Sequence, residues 1–221
     1  MNYWTYVIII TLLAVLPQIW VNNAYNKYSK IKVSNGKTGE LLVRDMLTSN
    51  GIYNVSINRI GGILTDHYNS KNKSIKLSND NFMTSSIASV AIAAHETGHA
   101  IQDNKGYAFL KLRQGLSSFA IVASNISWIG IYLGFLLLSR SLILFGIVAL
   151  GVILLFNIVT LPVEINASRR AKQYLLSAGT YTMEEMDGVS KVLTAAAFTY
   201  IASTLAGLLQ IIRLIGIIDR D

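Results

Sequence analysis

The chain has 221 residues, of which 52% are hydrophobic and 14% charged, against about 25% charged in ordinary soluble domains. Apolar content at this level excludes an intrinsically disordered chain and argues against a soluble globule. Nineteen basic and twelve acidic residues give a net charge of +7, but the basic residues of the polar region are mixed with acids and interrupted by apolar runs, so no stripe for nucleic-acid phosphates forms and the excess reads as membrane topology.

Residues 3–21 carry no charge and approach the roughly 20 residues that a helix needs to cross a bilayer. No Lys or Arg precedes them, whereas Lys27, Lys30 and Lys32 follow. A secretory signal has its basic residues on the other side, so this is a retained anchor with its N-terminus outside and the following segment in the cytoplasm.

Residues 22–115 have ordinary polar composition and form the predicted cytoplasmic region. Thr38 caps a helix running to Ser49, with Gly51 beyond its end and Leu41, Leu42, Met46 and Leu47 on its apolar face. Residues 55–60 and 74–78 alternate loosely as short strands, with turn material at 61–62 and 69–73. A helix follows over residues 85–102, carrying Ile87, Val90, Ala91, Ala94 and Ile101.

Residues 116–138 and 142–162 are two further uncharged runs joined by Ser139-Arg140-Ser141, a helical hairpin that leaves the cytoplasm and returns to it. Pro162 is expected to open a new helix. Residues 193–212 form a fourth uncharged run, rich in small residues, which either spans or packs as a buried helix. The expected domains are 1–21, an anchor; 22–115, a cytoplasmic region; 116–162, a transmembrane hairpin; and 163–221, a C-terminal pair of helices.

The chemistry concentrates in His95-Glu96-Thr97-Gly98-His99. Residues four apart on a helix share one face, so both imidazoles can converge on one ion while Glu96 projects beside it. The chain has no cysteine, which leaves histidine and carboxylate as the metal donors. Zinc suits two neutral imidazoles, and a catalytic site adds a third protein ligand and keeps a position for water. The metal makes water acidic near neutral pH, and Glu96 is placed to take the proton as general base.

The third ligand comes from elsewhere, with His67 and Glu164 as candidates. The hairpin's two crossings return Glu164 to the side of His95, and an acid at a bilayer boundary is costly to keep without a role; a first-turn carboxylate after Pro162 is the bland alternative. His67 lies in Thr65-Asp66-His67-Tyr68, where it or Tyr68 can donate a hydrogen bond to an oxyanion, unless it is simply a surface histidine in a hairpin loop. Arg169 and Arg170 read as interfacial anchors, and Asn125, Asn157 and Asn166 as interhelical hydrogen-bonding groups or supports for the metal ligands.

These residues resemble the YugP-like bacterial membrane zinc metallopeptidases, within the wider gluzincin group. The resemblance runs through nearly the whole chain: 27–30, 38–39, 50–51, Asp66-His67-Tyr68, the stretch 93–102 around the two histidines, 124–125, the block 162–171 around Glu164, and 195–200. It implies His95, His99 and Glu164 as zinc ligands and Glu96 as general base, and leaves His67 open. Many membrane gluzincins carry an aspartate four residues after the third ligand to orient a zinc-binding histidine; here that position is Ser168, so the residues around the ligands must differ.

The expected fold is therefore a mainly α membrane protein, a helical transmembrane bundle with a small α+β zincin-like unit. The expected function is a multi-pass, cell-membrane zinc endopeptidase with a cytoplasm-facing site, acting on peptides or membrane proteins in contact with the lipid bilayer. The strand near Ile75 is expected to accept the substrate backbone as an added strand. The competing reading is a membrane scaffold or regulator whose zinc is structural, closed by His67 as a fourth ligand. No motif speaks to oligomeric state.

Overall fold

The computed structural model describes residues 2–218. Its elements are α1 (Tyr3–Tyr28), α2 (Gly39–Ser49), β1 (Ser56–Ile60), β2 (His67–Asn69), β3 (Ser74–Ser78), α3 (Asn79–Met83), α4 (Ile87–Asn104), α5 (Ala108–Leu136), α6 (Arg140–Ser177) and α7 (Met183–Ile218). They form two compact units.

The helical unit comprises the chain to Pro17, residues 108–162 and the chain from Phe198. Small residues let its helices pack closely: a Cβ on Gly146 would lie 2.8 Å from the Ser127 carbonyl, and one on Gly134 would lie 2.7 Å from the Ile143 amide. Ile131, Ile143, Ile147, Leu214 and Ile218 form its buried core. Its outer face is apolar, with Tyr132 and Leu136 each 75% exposed. An apolar surface of that extent belongs against lipid. Four helices, α1, α5, α6 and α7, are long and apolar enough to cross a membrane.

The mixed unit comprises residues 18–107 and 163–197. Thr38 caps α2 by accepting from the Leu41 N–H, and Gly51 beyond its end has φ +68°, a left-handed conformation that favours glycine. The buried stripe is Gly39, Leu42, Val43, Met46 and Leu47, spaced i, i+3, i+4, i+7, i+8. Leu41 falls outside this stripe and is exposed, so Val43 takes the core position expected of it. Ile75 and Leu77 of β3 are fully buried; burial of such side chains stabilises by about 1.5 to 3 kcal/mol each.

The sheet differs from expectation in one strand. Residues 67–69, read as turn surroundings, form β2, and the order is β1-β3-β2. β1 pairs parallel with β3, and β2 pairs antiparallel, with Tyr68 opposite Ile75. β3 is therefore central and hydrogen-bonded on both sides, so the strand at Ile75 cannot accept a substrate strand; the edges are β1 and β2, and β2 is the edge packed against α4. Asp66 anchors β2 from outside the strand, its two carboxylate oxygens accepting from the Ser78 N–H at 2.7 Å and the Asn81 Nδ2 at 2.9 Å.

Pro162 also departs from expectation. It lies inside a continuous α6, so Glu164 sits mid-helix and the reading as a first-turn carboxylate is excluded. The missing proline N–H costs one helical bond, a loss that transmembrane helices tolerate through neighbouring groups. The two prolines of the chain, Pro17 and Pro162, are the residues at which α1 and α6 pass from one unit to the next.

Candidate metal centre

Helix α4 is capped by Ser86, whose Oγ accepts from the Ser89 N–H at 3.1 Å. It is buried on nearly every face. One stripe of it, His95, Gly98, His99 and Gln102, has the spacing i, i+3, i+4, i+7. The matching stripe on α6 is Glu164, Ala167, Ser168 and Ala171, with the same spacing, and all four are buried. Gly98 allows them to meet, because a Cβ there would lie 2.7 Å from the Ala167 carbonyl oxygen and 3.1 Å from its Cα. With backbone against backbone, the long side chains one turn away on each helix reach one another.

The donors converge accordingly. One donor atom from each of His95, His99 and Glu164 lies within 4.8 Å of the others. Glu164 Oε2 is 3.1 Å from His95 Nε2 and 3.5 Å from His99 Nε2, and the two imidazoles stand nearly perpendicular at 87°. Burial disfavours a charged imidazole, but the adjacent Glu164 carboxylate outweighs it and raises the His99 pKa.

The remaining ring nitrogens decide which atoms face the ion. His99 Nδ1 is 3.0 Å from Gln102 Oε1. The Gln102 amide nitrogen donates to the Val163 carbonyl at 2.8 Å and to Asn166 Oδ1 at 3.0 Å. That commitment fixes the amide orientation, so Oε1 accepts and His99 carries its proton on Nδ1. Asn166 Oδ1 also accepts from Arg170 Nε at 2.8 Å, which extends the chain of support. His95 Nδ1 meets Ser168 Oγ at 3.1 Å, so the serine in place of an aspartate does reach one of the two histidines. The His99 Nε2 lone pair is then free for a metal, and two imidazoles with one carboxylate are a donor set that zinc takes with a fourth position kept for water.

Glu96 turns to the sheet instead. Its Oε2 accepts from the Tyr68 N–H at 2.8 Å, an outward-facing group of the edge strand. The Tyr68 hydroxyl donates to Asp103 Oδ2 at 2.7 Å, and Lys73 Nζ donates to the same oxygen at 2.6 Å, which ties β2 to α4. Burial and the hydrogen bond to Asp103 push the Tyr68 pKa up, so it stays a phenol.

His67 is not brought to the three donors. Its Nδ1 pairs with the Thr65 carbonyl at 2.8 Å. The metal-donor group contains His95, His99 and Glu164 and not His67. Asp66 is engaged in anchoring β2. Gln102, Gly98 and Asp103 were not singled out from the sequence, although Gln102 lies three residues after His99 and seven after His95, a spacing that places it on the ligand face.

The comparisons agree with this geometry. A family model described as "Putative neutral zinc metallopeptidase" matches residues 3–219. A Bacillus subtilis protein described as "Putative membrane protease YugP" is 39% identical over 200 residues, which cover 90% of this chain and 89% of that protein. No solved structure matches. With a match along almost its whole length and three zinc-type donors gathered at one point, the chain belongs to the neutral zinc metallopeptidase family, as a membrane protein.

Proposed function

We propose that the protein is a multi-pass membrane endopeptidase that holds zinc with His95, His99 and Glu164 and uses Glu96 as general base. The observation that carries this reading is the convergence of one donor atom each from His95, His99 and Glu164 within 4.8 Å, with both Nε2 atoms turned to Glu164 Oε2. When bound, zinc supplies Lewis acidity that polarises a carbonyl and makes water acidic near pH 7. Glu96 takes the proton from the attacking water and delivers it to the leaving amine. Its hydrogen bond from the Tyr68 N–H holds the carboxylate beside the edge strand. An extended peptide would lie along β2, whose outer edge has no neighbouring strand among the described residues, beside the carboxylate that the Tyr68 N–H holds.

The scaffold reading needs a fourth protein ligand. Among the described residues the donor group has three members and does not include His67, which favours an open position and hence catalysis. The lysines after the first apolar run support a cytoplasm-facing site. The decisive variant is Glu96→Gln, assayed on an unfolded protein substrate in detergent: proteolysis is lost while one zinc per chain remains. Proteolysis that survives the substitution refutes the role of Glu96.

A further inference from the structure

A second concavity lies beside the donor stripe of α6. It is a groove of about 340 Å³ between α6 and α7 within the mixed unit. Ile165, Leu176, Leu193 and Ala197 supply its apolar lining, and Arg169 and Lys172 supply two positive charges. The two neighbouring arginines have different roles. Arg170 supports the metal site through Asn166, whereas the Arg169 side chain is turned to this groove and has no ion-pair partner among the described residues. Lys172, which also lines the groove, donates to Ser190 Oγ of α7 at 2.7 Å and has no ion-pair partner among the described residues.

We infer that this groove binds the headgroup of an anionic phospholipid, with Arg169 and Lys172 on the phosphate and the acyl chain along Ile165. Three observations point to a lipid. Two cations one turn apart on one helix complement a phosphate diester. The apolar lining by Ile165, Leu176, Leu193 and Ala197 suits an acyl chain and offers nothing to a free phosphate. At 1.5 Å per residue, Arg169 lies about 10 Å along α6 from Pro162, at headgroup depth. Ser168, which also lines the groove, is the partner of His95 Nδ1, so an occupant would sit against the residue that supports His95.

This inference rests on the membrane reading, with α6 leaving the bilayer near Pro162, and not on peptidase activity. The test uses full-length protein in a neutral detergent, titrated with phosphatidylglycerol or phosphatidylcholine and read by native mass spectrometry, with zinc content measured on the same samples. The parent is expected to hold phosphatidylglycerol at least about tenfold more tightly than phosphatidylcholine. Arg169→Gln combined with Lys172→Gln removes that preference and retains zinc. Lys172→Arg keeps it, and so does the Lys71→Gln, Lys105→Gln pair, which removes the same charge elsewhere. Should the first pair not fold, Arg169→Gln alone takes its place, with a smaller loss expected.

The inference is overturned if the variant keeps its preference or if the Lys71, Lys105 control loses it equally. It is also overturned if inorganic phosphate or an acidic hexapeptide displaces the lipid at equal concentration. Absence of zinc from the parent would instead contradict the metal centre, so the two failures are distinguishable.

Discussion

Gly98 on α4 and Ala167 on α6 meet backbone to backbone, closely enough that a Cβ on Gly98 would lie 2.7 Å from the Ala167 carbonyl oxygen. This contact sets the separation of the two helices, and the separation sets whether Glu164 reaches the histidines. The glycine of the His95–His99 motif is thus a packing residue for the metal site.

Gly98→Ala is therefore expected to push α6 off α4. Overpacking of this kind costs about 1 to 3 kcal/mol, and zinc should be lost before the fold is. Thermal unfolding with metal analysis would check this; unchanged zinc content at unchanged Tm would contradict it.

Gln102 should be needed for zinc affinity although it touches no metal. Gln102→Leu removes the acceptor that holds His99 Nδ1–H and leaves Asn166 without one donor. Loss of such a supporting group typically lowers metal affinity about 10- to 100-fold. Competition with a chromophoric chelator measures it, and an unchanged affinity would rule out the positioning role.

Ser168→Asp should act in the opposite direction. A carboxylate in place of the hydroxyl at 3.1 Å from His95 Nδ1 makes that imidazole a more basic ligand. Slower zinc release to chelator is expected from Ser168→Asp and faster release from Ser168→Ala. The same rate for both would show that this hydrogen bond has no influence.

Tyr68→Phe keeps the backbone N–H on Glu96 and removes only the hydroxyl that Asp103 accepts from. Loss of a hydrogen bond to a charged group costs about 1.5 to 3 kcal/mol, less here because Lys73 still pairs with Asp103. A lower Tm with full zinc content is expected, and equilibrium unfolding would read it.

Orientation can be tested cleanly because the chain has no cysteine. Lys71→Cys in the β2–β3 turn should react with an impermeant maleimide only after cells are opened. Ser141→Cys at the hairpin tip should react in intact cells. The reverse pattern would place the metal site outside.

The apolar runs and the His95–His99 spacing determined the fold class and two of the three donors by themselves, because transmembrane length and helical periodicity are local properties of a chain. Thr38, Gly51 and Ser86 likewise mark helix ends through contacts within a few residues. Tertiary structure decided what depends on distant partners. β2 exists because Asp66 is tied to Ser78 and Asn81 and because β3 lies beside it, neither of which three residues can signal. Pro162 was absorbed into α6, and Glu164 was brought to His95 across 69 positions of sequence. That approach depended on a glycine fitting against an alanine backbone, a condition of shape between two helices that no local pattern encodes.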